Sequence, residues 1–166
     1  PAAAFDLVAS RFGVMFFADP VAAFANLRGA LRPGGRIAFA AWAGPDENPW
    51  FAAPQRAAVA RLGPVAPVPP DAPGPMAFRD AARVCGLLTA AGFAEARART
   101  VATELHHPGG VAAVVALAGR CGPIPRVMRD RAGTPGDEAA ILAALAADFA
   151  RYARPDGVRI PAAIHL

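Results

Sequence analysis

The chain has 166 residues, of which 55% are hydrophobic and 18% charged, with a formal net charge of +4. That balance excludes a largely disordered chain, and the length leaves room for one domain with a proper core. Two cysteines, Cys85 and Cys121, exclude a disulfide scaffold and suit a reducing cytosol. No apolar run approaches the roughly 20 residues of a membrane span, the longest being Val111 to Gly119. Pro1-Ala2-Ala3-Ala4-Phe5-Asp6 has neither a basic nor an apolar signal region and does not start with methionine, so the sequence reads as a piece of a longer chain. The positive charge does not point to nucleic acid. All 17 basic residues are arginine, in an alanine-rich chain, as a GC-rich coding bias produces, and they are scattered. The densest group, Arg126, Arg129 and Arg131, is brief and includes Asp130.

Phe5-Asp6-Leu7-Val8-Ala9-Ser10 reads as a short buried strand. Arg11 to Phe17 makes a loop hinged at Gly13. Asp19-Pro20 opens a helix, with aspartate as N-cap and proline at the first helical position. Val21, Phe24, Leu27 and Leu31 line one face of it, and Pro33-Gly34-Gly35 is expected to stop it. Arg36 to Trp42 is a second buried strand, so the whole reads as a right-handed parallel crossover. Pro54 to Leu62 suggests one short helix. Gly63 to Pro75 is proline-dense, a stiff connection or a lid. Asp80 caps a further helix carrying Val84, Leu87, Leu88 and Ala91, closed by Gly92. Ala94 to Leu105 alternates like a half-wet strand, Val111 to Ala118 is helical, and Asp137 to Arg154 is the best helix in the chain. Val158 to Leu166 reads as a strand whose Pro161 argues for an edge or a bulge. The organisation expected is a core over 1–45, a proline-rich insertion or lid over 46–79, and helices with edge strands over 80–166.

No catalytic constellation is visible, and no catalytic residue is assigned. Gly34-Gly35 lies between helix and strand, so it is no phosphate loop, and no G-x-G-x-x-G opens a helix. Zinc is not expected, because the two cysteines stand far apart and there are only three histidines. His106-His107 reads as a solvated pair or as part of a site, and His165 as structural. Ser10 lacks the glycines of a nucleophile elbow.

The ordered set FDLVAS from Phe5, Asp19-Pro20, L-x-P-G-G from Leu31 to Gly35 and the strand to Trp42 resembles the second half of a class I S-adenosylmethionine-dependent methyltransferase, type 11-like. The L-L-x-x-A-G-F ending of the Asp80–Phe93 helix resembles the next crossover. The resemblance covers about residues 5 to 105. It implies an α/β, Rossmann-like sheet ordered 3-2-1-4-5-7-6, of which this chain supplies strands 4, 5, 6 and most of 7. It implies S-adenosylmethionine as cofactor, a small-molecule methyl acceptor, and cofactor contacts by Ser10, Arg11 and Phe12. Met15 stands where related enzymes often carry a histidine. With Trp42, Trp50 and Phe51 it is a candidate for the acceptor pocket, although core packing explains these apolar side chains equally well. The family's glycine-rich cofactor loop and strand-end acid have no counterpart here, so the fragment alone is expected to bind cofactor poorly. The expected setting is cytoplasmic, without membrane or nucleic-acid partners. A degenerate, non-enzymatic module for protein contacts is the alternative.

Overall fold

In the computed structural model, which describes residues 3–166, β1 (Phe5–Arg11) leads through a loop into α1 (Pro20–Ala30) and on to β2 (Leu31–Trp42). The Asp19 carboxylate accepts from the Ala22 amide and Pro20 sits in the first turn, as the sequence dictates. β1 and β2 run parallel, in register from Leu7↔Arg36 to Arg11↔Ala40. The helix stops at Ala30, short of the expected glycine pair. Its last carbonyls are met by incoming amides, Ala3 to Gly29 and Ala4 to Ala30. Leu31 is already extended and buried. Pro33-Gly34-Gly35 then forms an irregularity in β2, between the pairs Phe5↔Leu31 and Leu7↔Arg36.

Gly34 has φ +79°, and a Cβ there would meet nothing within 4 Å. Gly34→Val is therefore expected to lower stability by about 1–2 kcal/mol through backbone strain alone. An unchanged unfolding midpoint would remove that assignment.

The remaining strands are β3 (Thr100–His107), β4 (Ala153–Arg154) and β5 (Gly157–His165). The sheet order is β1-β2-β5-β3, with β4 pairing β5. β5 is antiparallel to β2 through Ala41↔His165 and Trp42↔Ile164. In the numbering of the resembled fold this order reads 4-5-7-6, as expected. Pro161 sits in an interior strand rather than an edge. It falls between Gly157–Val158, which pair with β4, and Ala163–His165, which face β2, so its missing N–H breaks no ladder bond. β3 begins six residues later than the alternation suggested: Ala94–Ala98 make no strand ladder, and Arg99 pairs only with Leu166, just past the end of β5.

Two compact units partition the chain: residues up to Gly44 with Val68–Ala102 and Ala163–Leu166, and Pro45–Pro67 with Thr103–Ala162. In the first, Phe24 of α1 packs with Met15, Ala41, Phe78 and with Val84 and Leu88 of α3 (Ala81–Ala90). Asp80 caps α3 by accepting from the Ala82 and Arg83 amides. β1 is a strand whose Phe5 is 47% and Leu7 57% exposed; among the described residues β2 is the strand that flanks it.

The second unit is helical apart from its strand segments. α2 (Pro49–Leu62) begins earlier than expected, since Pro49 at its start favours a helical turn. α4 (Val111–Arg120) is followed by α5 (Pro123–Asp130), which the sequence reading missed because two prolines and three polar residues mask its buried Ile124 and Val127. α6 (Pro135–Phe149) ends before the expected Arg154, passing through a short 3-10 turn into β4. Thr134 and Asp137 form its capping box, and Arg61 joins them. Hydrogen bonds from the Thr134 side chain and backbone, then from Arg61, hold the Asp137 carboxyl down at about 2. Ile141, Leu145 and Phe149 enter a core with Val114, Ile124 and Val158. No single helix among the described residues is long and apolar enough to cross a membrane.

Candidate functional site

In an open α/β sheet, ligands collect beyond the carboxyl ends of the parallel strands. Here those ends are Ser10-Arg11-Phe12 and Ala41-Trp42. The Phe12 amide donates to the Ala40 carbonyl at 3.0 Å, which prolongs the parallel ladder one step past β1. Phe12 then turns sharply, with φ +62°, an uncommon conformation for a bulky residue that persists only where the surroundings hold it. What holds it is a ring stack: Phe12 and Trp42 lie 4.3 Å apart between centroids, 13° from parallel. The two strand ends thus carry one aromatic shelf.

The loop that follows is fixed by packing. A Cβ on Gly13 would stand 3.2 Å from the Ser10 hydroxyl oxygen, so glycine lets the serine lie against the turn. Val14 and Met15 are buried, the Met15 carbonyl accepts from the Gly74 amide at 3.0 Å, and Phe17 packs edge-on against Phe24. Arg11 is exposed, opposite Ala40, on the sheet face that alternates away from the core side chain Phe39. Among the described residues Arg11 makes no ion pair with Asp19 or Asp46, the partners that a surface role offered.

The structure therefore brings Ser10, Arg11, Phe12 and Trp42 together. Met15 is nearby but only 1% exposed, its side chain enclosed in the core. Trp50 and Phe51 are on α2 in the second unit, where the Trp50 ring stacks on Phe149 at 6.5 Å. Phe12 was legible as an aromatic at a strand end. Its strained backbone was not, because nothing local in Arg11-Phe12-Gly13 demands a positive φ on the middle residue.

The three histidines have structural partners. The His165 ring bridges the Thr100 hydroxyl and the Arg79 carbonyl, each at 3.0 Å. Since the Arg79 oxygen only accepts, Nε2–H donates to it and Nδ1 accepts from Thr100. His106 donates through Nε2 to the Asp156 carbonyl, and His107 Nδ1 accepts from the Gly109 amide. Arg159 grips Asp156 and Glu104, and its hydrogen bond to Asp156 is the main cause of that carboxyl's lowered pKa. No group of three or more His, Cys, Asp or Glu side chains among the described residues could hold a metal ion.

Comparison with known proteins finds one similarity, in the first part of the chain. Residues 1–39, which contain β1, α1 and most of β2, match a methyltransferase domain. No match is found among curated proteins. This strand–helix–strand unit, whose strand ends carry the aromatic shelf, is thus similar to the corresponding part of a type 11 methyltransferase domain.

Proposed function

We propose that the chain contributes one wall of the site of an S-adenosylmethionine-dependent methyltransferase acting on a small-molecule acceptor. The observation that carries this reading is the Phe12–Trp42 stack, held with a strained backbone at the carboxyl ends of two parallel strands. When bound, the cofactor supplies an activated, positively charged methyl donor. Ser10, Arg11 and Phe12 border it in this reading. The aromatic face of Phe12 attracts a cationic centre, and Arg11 offers a planar fork to a carboxylate. Trp42 extends the shelf towards the acceptor, while Met15, enclosed in the core, supports the loop from beneath. Orientation of acceptor, methyl carbon and sulfur, with water kept out, supplies much of the acceleration, so a site without a general base is sufficient. With two free thiols and a small apolar acceptor wall, the chain suits a cytoplasmic setting.

The residues present fit only part of the cofactor. No strand-to-helix turn among them carries a Gly-x-Gly-x-Gly run, the turn after β3 having only Gly109-Gly110, and β1, β2 and β3 end in Arg11, Trp42 and His107 rather than in an acid. Calorimetric titration of S-adenosylmethionine into the 166-residue chain is therefore expected to show weak binding or none. A micromolar dissociation constant would overturn the one-walled site.

Arg11→Ala, placed in a polypeptide that carries both halves of the sheet, tests the function itself. A charge-assisted bond is worth ~1.5–3 kcal/mol, so cofactor binding or turnover is expected to fall about tenfold or more. Kinetics unchanged within about twofold would remove Arg11 from the site, because an exposed arginine contributes ~0–1 kcal/mol. Absence of any S-adenosylmethionine binding in that longer polypeptide would instead favour a non-enzymatic module.

A further inference from the structure

The proline-dense stretch after α2 starts in the second unit with residues 63–67, Gly63-Pro64-Val65-Ala66-Pro67, and runs on as Val68-Pro69-Pro70. Its own sequence dictates its backbone. Each proline fixes φ near about −65°, and each residue before a proline is kept out of the helical region. Pro64, Pro67, Pro69 and Pro70 obey the first rule, and Gly63, Ala66, Val68 and Pro69 the second. Val65 alone escapes both. A chain so restricted lies in the left-handed polyproline helix, which has three residues per turn and no internal hydrogen bonds. Accordingly no helix or strand forms over 63–67. Among the described residues the Val65 and Ala66 amides give no hydrogen bond to a backbone carbonyl.

The three-residue period puts Pro64 and Pro67 on one edge of this helix and Val65 on another. Val65 packs against the core of the second unit, whereas Pro64, Ala66 and Pro67 are exposed. Two arginines of the same unit hold the segment from outside its own backbone. Arg126 donates to the Ala66 carbonyl at 2.7 Å, and Arg131 donates to the Leu62 carbonyl at 3.2 Å. The Arg131 guanidinium also lies 2.7 Å from where a Cβ on Gly63 would stand, so its charge sits at the start of the proline run. Asp130 meets the charge of Arg126, but among the described residues Arg131 makes no ion pair. The segment is thus gripped on the Val65 side, shows its proline edge outward, and carries a cation at one end.

We propose that residues 63–67 are a recognition segment for a partner protein whose groove is lined by aromatic side chains, with a carboxylate at the end that meets Arg131. Aromatic rings take proline rings flat against them, and a polyproline helix arrives already ordered, so docking loses little chain entropy. The grips at Val65, Leu62 and Ala66 order it further than the same residues in a free peptide. A polyproline helix shows similar ridges when read in either chain direction, so the charge of Arg131 at one end selects the direction. This surface is separate from the aromatic shelf, and its test is independent of methyl transfer.

The probes are purified SH3 and WW domains, which hold proline segments in aromatic-lined grooves. Each is isotope-labelled and titrated with the 166-residue chain, and its amide shifts are followed by NMR. Saturable shifts confined to the aromatic groove of at least one domain are expected. Replacing both prolines, Pro64→Ala with Pro67→Ala, is expected to weaken that binding about tenfold or more. Both side chains are exposed, so the unfolding midpoint is expected to stay where it is. Arg131→Gln keeps a donor for the Leu62 carbonyl but loses the charge. It is expected to weaken binding about threefold at low salt, an effect that fades as salt is added. The free peptide of residues 61–70 is expected to bind more weakly than the folded chain. No shift in either domain at millimolar chain overturns the proposal and leaves the segment a spacer. Binding that ignores the two prolines also overturns it, as does binding of the free peptide but not of the chain. Equal binding by Arg131→Gln at low salt overturns the acidic rim.

Discussion

Phe24→Ala is expected to cost the first unit about 3–5 kcal/mol, which is of the order of a small domain's whole stability. Phe24 is fully buried on the inner face of α1, and its ring is the hub of an aromatic cluster. Phe17 meets it edge-on at 5.7 Å, while Phe39 of β2 and Phe78 stack on it at 5.6 and 5.9 Å. Removing the ring loses its transfer free energy, leaves a cavity that three other rings cannot fill without leaving their rotamers, and forfeits the ring–ring terms of ~0.5–1.5 kcal/mol each. Urea unfolding gives the total, and exchange of amides in β2 and α3 shows whether the loss lies in this unit. Phe5→Ala is the control: Phe5 is 47% exposed at the sheet edge and its loss is expected to be small. A Phe24→Ala variant within about 1 kcal/mol of the unmutated chain would mean the cluster is loosely packed.

The second large effect is expected at the hairpin between β4 and β5. Pro155 and Asp156 form a two-residue loop, and Gly157 closes it with φ +131°. A Cβ at Gly157 would land on the His107 carbonyl oxygen and stand 3.0 Å from the Pro108 Cα, main-chain atoms at the end of β3 and just after it. Main chain in a ladder yields less readily than the tip of a side chain. Gly157→Ala is therefore expected to lose roughly 2–5 kcal/mol, combining backbone strain with displacement of a packed neighbour. Gly157→Val is expected to lose little more, since the first carbon already makes the clash. Gly136→Ala, in the first turn of α6, is the matched control, because a Cβ there meets only the Thr134 hydroxyl at 3.7 Å. Equal unfolding midpoints for Gly157→Ala and Gly136→Ala would place the hairpin differently. His106, Asp156, Glu104 and Arg159 are joined across the same hairpin, so its loss is expected to release that network as well.

The crossover at the heart of the site was legible in residues 5 to 42, because its determinants are local. Asp19 caps through an amide three residues on, Pro20 needs no hydrogen-bond partner in a first turn, and the positive φ of Gly34 costs glycine nothing. The order of the sheet followed from the resemblance, and the match over residues 1–39 supports the same family. What the chain's own pattern could not convey is which neighbours each element would find. Phe5 and Leu7 alternate no differently from a buried strand, yet among the described residues one flanking strand covers them and both are exposed. Pro161 is a local argument for an edge, overruled because the ladders on either side leave its nitrogen no partner to lose. Met15, a candidate for the acceptor wall, is enclosed by Phe24 and Phe78, and Trp50 stacks on Phe149 in the other unit. By itself the sequence determined where helices start, where the backbone must turn and which apolar faces exist, since each of these depends on residues a few positions apart. Only the tertiary structure decided which of those faces are buried and that Phe12 is held strained against Trp42. Those outcomes depend on contacts between residues distant in the chain, where burial and hydrogen bonding outweigh local preference.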